Sequence, residues 1–133
     1  MKIKIKFVLI VMYATVMLPI IASAQQLTAP GLVEVTQAQK MSNQGSLLLD
    51  VREQDEYDEI HAPHSKLIPL SQLNSRLAEI ADFKDKSVVV ICRSGVRSQK
   101  ALKILEEIGF SQVSSADGGM IAWEKAGLDV VKR

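Results

Sequence analysis

Short apolar runs alternate along this chain with longer stretches in which apolar residues recur at helical spacing. The short runs are rich in Leu, Ile and Val and are bounded by polar residues or glycine, which is typical of strands. The run 46–51 is almost continuously apolar, so the pattern predicts a strand buried on both faces. The predicted strands are residues 32–35, 46–51, 66–70, 88–91 and 112–115.

The stretches between these runs predict helices. Thr36 and Ser71 are placed to cap two of them, and Gly45 and Gly109 follow the ends of two. Strands and helices that alternate in this way predict a single α/β domain, with a central parallel sheet of about five strands and helices on both faces. The predicted helices are 36–43, 52–60, one from Ser71 with apolar positions Leu73, Leu77 and Ile80, 99–108 with Ala101, Leu102, Leu105 and Ile108 on one face, and 119–125, which carries Trp123.

The carboxyl ends of the predicted strands collect the polar residues of interest. Functional sites of open parallel sheets lie beyond these ends. Asp50 ends the second strand, Cys92 follows the central strand, and the segment 117–119 follows the last one. We therefore expect these three segments to meet in one crevice.

The only cysteine of the chain opens a short polar loop between the central strand and the helix after it. This placement collects backbone N–H groups and the positive end of a helix dipole around one thiol, which favours the reactive thiolate. A core cysteine would gain nothing from two arginines, two serines and a glycine, which are costly to bury, so the loop is better explained as an anion site. The loop reads Cys92-Arg93-Ser94-Gly95-Val96-Arg97-Ser98.

The first 24 residues have the three parts of a secretory signal peptide. Lys2, Lys4 and Lys6 form a basic start, residues 7–21 are apolar, and Ala22-Ser23-Ala24 suits signal peptidase. We expect cleavage after Ala24, a periplasmic protein, a flexible leader at 25–30 and a domain at 31–133. The alternative is an uncleaved anchor, for which the apolar stretch is short.

Composition narrows the partners of the mature chain. Removal of residues 1–24 takes three of the 16 Lys and Arg residues and leaves 13 against 15 Asp and Glu, a formal charge of −2 over 109 residues. This charge argues against nucleic acid and against stable membrane association after cleavage. A single cysteine in an exported chain cannot form an internal disulfide, so it either pairs between molecules or is a free reactive thiol. The loop around Cys92 favours the free thiol.

Three segments along the expected crevice read Asp50-Val51-Arg52-Glu53, the Cys92 loop and Gly118-Gly119-Met120-Ile121-Ala122-Trp123. They resemble segments of the rhodanese family, the thiosulfate sulfurtransferases, in its single-domain periplasmic form. The resemblance spans about residues 31–130 and implies a single rhodanese-like domain. One segment departs from it, because residues 60–65 lack both glycines that the family has there.

The resemblance implies that Cys92 attacks the outer sulfur of thiosulfate, becomes a persulfide and passes the sulfur to cyanide or a thiol. The partners would be a small anionic donor and a nucleophilic acceptor, with no cofactor. Arg93 would face the anion and Arg97 would hold the loop, through an acidic partner. The substrate-binding residues would be Arg93, Ser94, Gly95, Val96, Arg97 and Ser98, and the supporting residues Asp50, Arg52, Glu53, Gly118 and Gly119.

Other features have simpler interpretations. His61 and His64 lack further ligands for a metal site, the acidic run 53–59 is expected to be a solvated helix face, and Trp123 is expected in the core. Two alternatives to the enzyme remain open. One is a persulfide carrier for a partner protein, which would use the same residues. The other is a cysteine-dependent phosphatase or arsenate reductase, whose loops hold five residues between cysteine and arginine, whereas this loop holds four.

Overall fold

The computed structural model describes residues 31–133. The predicted signal peptide, residues 1–24, and leader, residues 25–30, lie outside the described residues. No helix within residues 31–133 has the length and apolar character needed to cross a bilayer. The strands are β1 (Leu32–Val33), β2 (Leu47–Asp50), β3 (Ile60–His61), β4 (Lys66–Leu67), β5 (Ser87–Ile91), β6 (Gln112–Ala116) and β7 (Val131–Lys132). The α-helices are α1 (Val35–Asn43), α2 (Gln54–Glu59), α3 (Val96–Ile108) and α4 (Gly119–Lys125), and two 3₁₀ helices cover Leu70–Gln72 and Leu77–Phe83.

Five strands form one parallel sheet in the order β1-β6-β5-β2-β4. Strand β5 lies in its centre, with Val90 opposite Leu49 of β2 and Ser115 of β6. This confirms the predicted α/β fold with a central parallel sheet. Because all five strands run the same way, the loops that follow β2, β5 and β6 leave the sheet at one edge.

The alternation of side chains along the central strands divides the core between the two faces of the sheet. Val90 and Cys92 pack on the face covered by Ala101 and Leu105 of α3. Ile91 belongs to the opposite face, where α1 and α4 supply the covering residues. The members of that second cluster include Val35, Ala38, Leu48, Val89, Met120 and Trp123. Helices on both faces, and a core position for Trp123, are as predicted.

The predicted α-helix from Ser71 is wrong. Two 3₁₀ helices replace it, and successive N–H groups bond three residues back, as from Ser75 to Gln72 and from Arg76 to Leu73. The Ser75 hydroxyl also donates to the Gln72 carbonyl, which competes with a continuing α-helix. Leu73 follows the first 3₁₀ helix and Ile80 lies in the second, and both side chains are fully buried. Each 3₁₀ helix therefore packs on the core through its own apolar residue, and the two residues do not belong to one helix.

Several predicted boundaries shift by a few residues. Thr36 lies inside α1 and is not its cap, since Glu34 occupies that position without a side-chain bond. Helix α3 begins at Val96, three residues earlier than predicted, because Gly95 adopts a left-handed conformation, with φ of 108°, at its N-cap. Arg97 and Ser98 therefore lie in the first turn of α3 rather than in the loop. The predicted helix 52–60 is shorter, starting at Gln54.

An antiparallel ribbon of β3 and β7 was not predicted from the sequence. Ile60 pairs with Lys132 and His61 with Val131. Two residues per strand are too few to show an alternating pattern. The turn that follows β3 lacks the expected glycines, and His64 adopts a left-handed φ of 63° there. Side chains of neighbouring residues stabilise this turn, since Tyr57 Oη donates to the Ser65 carbonyl over 2.7 Å.

Candidate active site

Cys92 follows the last residue of β5, so the strand places its thiol at the carboxyl edge of the sheet. The residue is 1 % exposed. The chain then turns through Arg93 and Ser94 to Gly95, whose N–H donates to Cys92 Sγ over 3.0 Å. Gly95 leads directly into the N-terminus of α3. The sulfur therefore sits inside the loop that was predicted to surround it.

Opposing influences act on the pKa of the Cys92 thiol. Burial raises the pKa, whereas hydrogen bonds to the thiolate from the Ser98 hydroxyl and from the amides of Ser98, Gly95 and Ser94 lower it. The donors outweigh burial, so the pKa lies below the usual value for cysteine. The geometry favours a thiolate, which is the nucleophilic form of cysteine.

Ser98 connects the thiol to the neighbouring strand. Its Oγ lies 3.5 Å from Cys92 Sγ and 3.0 Å from the Gly95 carbonyl oxygen. A third contact, of 2.7 Å, joins Ser98 Oγ to Ser115 Oγ of β6. Both serines are fully buried. Ser115 was not predicted as a site residue, and the one available signal was a hydroxyl at the end of the predicted strand 112–115.

Arg97 forms a two-pronged ion pair with Glu56 of α2. Arg97 Nη1 and Nη2 donate to the two Glu56 carboxylate oxygens over 2.7 and 2.8 Å. This Arg97 guanidinium lowers the pKa of Glu56 from 4.5 to about 2. Glu53 caps α2 in a reciprocal arrangement with Glu56. The expectation that the acidic run 53–59 is simply a solvated face is therefore wrong for Glu56, which ties α2 to α3.

Asp50 and Arg52 form a buried ion pair behind the loop. Arg52 Nη2 lies 2.7 Å from Asp50 Oδ2, and the side chains are 4 % and 0 % exposed. Arg52 Nη2 also donates to the Ile60 carbonyl over 2.7 Å, and Nη1 to the Glu56 carbonyl over 3.3 Å. A buried charge is tolerated where such partners surround it. The pair joins the end of β2 to α2 and β3.

The start of α4 packs directly against the cysteine loop. The Met120 N–H donates to the Cys92 carbonyl over 2.8 Å, and the Ile121 N–H donates to the Arg93 carbonyl over 3.1 Å. A Cβ atom on Gly119 would lie 2.3 Å from the Cys92 carbonyl oxygen. Gly119 permits this close approach, and Gly118 before it adopts a left-handed φ of 74°.

Three predicted substrate-binding residues face solvent. Arg93 and Ser94 are exposed, and Val96 is 62 % exposed. Arg93 lines a cavity of about 300 Å³ that lies between the loop, α2, α4 and β7. The cavity walls include Arg52, Glu56, Ile121, Glu124 and Lys132. Cationic groups of Arg93 and Lys132 thus stand at an open cavity beside the reactive loop.

The structure brings most of the predicted site residues together. Hydrogen bonds join Cys92 to Gly95 and Ser98. Gly119 packs against the Cys92 carbonyl. Asp50, Arg52 and Glu53 stand one layer further out and contact each other or α2. Glu56 and the backbone amides of α4 were missed, because their partners lie far along the chain. Within residues 31–133, no group of three or more His, Cys, Asp or Glu side chains is arranged to hold a metal ion.

The chain was compared with known protein families, and it matches one of them. Residues 34–126 match the family described as "Rhodanese-like domain". This chain belongs to the rhodanese-like family. The rhodanese-like domain is 39 % identical over 87 residues to thiosulfate sulfurtransferase GlpE of Pseudomonas syringae pv. syringae, a match that covers 65 % of this chain and 80 % of that protein.

Other relatives carry different names. The chain is 36 % identical over 86 residues to the putative sulfur carrier protein YrkF of Bacillus subtilis, covering 64 % of this chain and 45 % of that one. Among solved structures, the polysulfide-sulfur transferase homodimer of Wolinella succinogenes superposes with a TM-score of 0.66 at 29 % identity, covering 77 % of this chain and 78 % of that chain. These similarities support a rhodanese-like sulfurtransferase or sulfur carrier.

Some relatives are much longer than the matched domain. The chain is 40 % identical over 78 residues to the probable adenylyltransferase/sulfurtransferase MoeZ of Mycobacterium tuberculosis. That match covers 59 % of this chain and only 20 % of MoeZ. The rhodanese-like domain therefore occurs both as a short chain and as one part of a larger protein.

Proposed function

We propose that this protein is a sulfurtransferase that moves sulfane sulfur from thiosulfate, or a similar anionic donor, to a nucleophilic acceptor through a Cys92 persulfide. The observation that carries the proposal is the 3.0 Å bond from the Gly95 amide to Cys92 Sγ, supported by the Ser98 hydroxyl. Fixed donors aimed at a sulfur anion stabilise both the attacking thiolate and the persulfide that follows it.

The proposed reaction is a double displacement. The Cys92 thiolate attacks the outer sulfur of thiosulfate, a new sulfur–sulfur bond forms, and sulfite leaves with the electron pair of the broken bond. The acceptor, cyanide or a thiolate, then attacks the outer sulfur of the persulfide. The bond to Cys92 Sγ breaks and the electron pair returns to the thiolate. No oxidant, metal or cofactor is required in either step.

Arg93 is proposed to receive the donor anion. It is exposed at the cavity beside the loop, and its guanidinium forms no ion pair with the residues that the structure describes. Arg97 is proposed to hold the loop, because both of its terminal nitrogens are already engaged by Glu56. The same engagement argues against the phosphatase or arsenate reductase alternative, in which an arginine must be free to clamp an oxyanion.

The carrier alternative uses the same chemistry without a free acceptor. The resemblance to the putative sulfur carrier YrkF of Bacillus subtilis favours it. A carrier would load one sulfur per chain and wait for its partner protein, whereas an enzyme turns over with a small acceptor. We therefore propose assaying thiocyanate formation from thiosulfate and cyanide.

Many thiocyanate ions per chain support the enzyme, whereas one sulfur per chain that stays on Cys92, without repeated formation of thiocyanate, supports the carrier. Cys92→Ser is the control variant, since its hydroxyl is too weakly acidic to attack sulfur without a base. Retained thiocyanate formation by folded Cys92→Ser protein would contradict a Cys92 persulfide.

We also propose that the protein is exported and works in the periplasm. The support is the signal-peptide pattern of residues 1–24. N-terminal sequencing of exported protein should then find Gln25, or its cyclised form, at the first position. An intact Met1 in exported protein would instead support an uncleaved anchor.

A further inference from the structure

Ser115 is a fully buried hydroxyl residue near the carboxyl end of β6. Its backbone N–H donates to the Gly31 carbonyl over 2.7 Å, as the pairing of β6 with β1 requires. Its side chain has one hydrogen-bond partner among residues 31–133, the Ser98 Oγ at 2.7 Å. A buried hydroxyl with a single polar neighbour is costly unless that bond is made.

The proton count around Ser98 fixes the direction of this bond in the thiolate state. Ser98 has one hydroxyl proton and three neighbours within reach, namely Cys92 Sγ, the Gly95 carbonyl and Ser115 Oγ. A charged sulfur is the strongest acceptor of the three. When the Ser98 proton points to the sulfur, the Ser115 proton is free to point to Ser98 Oγ, which satisfies both hydroxyl groups.

We propose that Ser115 is a positioning residue that stabilises the Cys92 thiolate through Ser98. Ser115 donates to Ser98, and this bond makes the Ser98 hydroxyl a stronger donor to the sulfur, because hydrogen bonds in a chain polarise one another. Ser115 also keeps Ser98 Oγ turned between β6 and the loop. The Ser115 side chain forms no hydrogen bond with Cys92 or Arg93 among the described residues, and Ser115 does not line the cavity beside Arg93.

Charged groups around the loop come from four elements, and none bonds to the Ser115 side chain among the described residues. Arg93 belongs to the loop itself, and Arg97 of α3 interacts with the Cys92 charge. Glu56 of α2 pairs with Arg97, and the Asp50–Arg52 pair lies at the end of β2. A change at Ser115 therefore acts on the thiol through hydrogen bonding and leaves these charges in place.

The test is the pH dependence of Cys92 alkylation by iodoacetamide in Ser115→Ala. We expect the midpoint to rise by about half a pH unit, which corresponds to about threefold less thiolate at a fixed pH below the midpoint. Ser114→Ala is the matched control, since Ser114 lies next in β6 and its side chain points to the other face of the strand. Its midpoint should equal that of the wild type.

A double-substitution cycle shows whether Ser115 acts through Ser98. Ser98→Ala should raise the midpoint by itself, and Ser115→Ala should add nothing in that background. If the melting temperature of Ser115→Ala is too low for the measurement, Ser115→Thr and Ser115→Val can be compared instead. Their side chains have the same shape, and only threonine keeps the hydroxyl. Threonine should then keep a lower midpoint than valine.

An unchanged midpoint in folded Ser115→Ala, or an equal shift with and without Ser98, would overturn the proposal. A lower melting temperature with an unchanged midpoint would likewise assign Ser115 a structural role only. The proposal rests on Cys92 being the reactive thiol of the proposed function. Alkylation needs no sulfur donor or acceptor, so failure of sulfur transfer and failure of this inference are distinguishable.

Discussion

Burial and hydrogen bonding have opposite effects on the ionisation of the Cys92 thiol. The residue is almost wholly buried, which favours the neutral thiol, yet the loop aims amide and hydroxyl donors at the sulfur, and these favour the anion. The donors prevail, and the pKa of Cys92 falls below its usual value. In the proposed function, the same donors would stabilise the persulfide, whose terminal sulfur is also anionic.

We expect the iodoacetamide alkylation rate of Cys92 to reach its half-maximum below about pH 8.5, the value for a free cysteine. Because the thiolate is the reactive form, the rate should rise with pH and level off once the thiol is ionised. A small free thiol, measured in parallel, supplies the reference. A midpoint at or above the reference would contradict the donor geometry around the sulfur.

Replacing Arg93 by alanine and replacing Arg97 by alanine should have different effects on the protein. Arg93→Ala removes an exposed cation at the cavity, so kcat/KM for thiosulfate should fall by about tenfold or more, with the melting temperature unchanged. Arg97→Ala leaves Glu56 without its partner and frees the loop, so melting temperature and Cys92 alkylation rate should fall together. Thermal melting, alkylation and thiosulfate kinetics for both variants give the comparison. If Arg93→Ala lowers the melting temperature and Arg97→Ala lowers only kcat/KM for thiosulfate, the two roles are reversed.

At the level of elements, α4 acts on the active loop through its backbone. The first N–H groups of α4 donate to the Cys92 and Arg93 carbonyls, so the helix holds the loop from the side opposite α3. Gly119 makes this approach possible. The loop is thus held by two helix N-termini. Amides at the start of α3 donate to the Cys92 sulfur, and amides at the start of α4 donate to the loop carbonyls.

Gly119→Ala should destabilise the protein and lower Cys92 reactivity, because the added Cβ would lie 2.3 Å from the Cys92 carbonyl oxygen and force the loop to move. Gly127→Ala is the matched control. Both glycines have a positive φ, 56° and 70°, but a Cβ on Gly127 meets nothing within 4 Å. Melting temperature and alkylation rate should fall further in Gly119→Ala. Equal effects of the two variants would indicate backbone strain alone.

The pairing of Arg97 with Glu56 predicts a pH dependence of stability. The pKa of Glu56 is lowered from 4.5 to about 2 in the folded protein, so its contribution is present above about pH 4.5 and is lost as the pH falls towards 2. Glu56→Gln should therefore lower the free energy of unfolding in urea at pH 7 and have a smaller effect at pH 3.

Asp55→Asn is the control for that comparison, since Asp55 lies in the same helix and forms no ion pair with the described residues. A Glu56→Gln effect that is equal at both pH values would contradict a stabilising carboxylate.

Elements with strong local patterns were predictable from the sequence. The apolar run before Cys92 and the helical spacing after it give β5 and most of α3, and therefore the loop between them. Contacts between distant parts of the chain were not predictable. Glu56 meets Arg97 across 41 residues, and Ser98 meets Ser115 across 17. The helix from Ser71 was predicted wrongly, because its apolar spacing suits either one α-helix or two anchored 3₁₀ helices.

At the scale of the whole molecule, strand order assembles the site from distant segments. Strands β2, β5 and β6 are neighbours in the sheet although they are far apart in sequence, and their carboxyl ends carry Asp50, Cys92 and Asp117. The predicted crevice follows from this parallel arrangement. Helices α2 and α4 then close the site from either side, which leaves the cavity beside Arg93 as an open approach.

The most direct test of the proposed function is the intact mass of the protein spanning residues 25–133 after incubation with thiosulfate. We expect a gain of one sulfur atom per chain, its loss on addition of cyanide with release of thiocyanate, and no gain in Cys92→Ser. No gain in mass in the wild-type protein, or an equal gain in folded Cys92→Ser, would contradict a sulfur carried on Cys92.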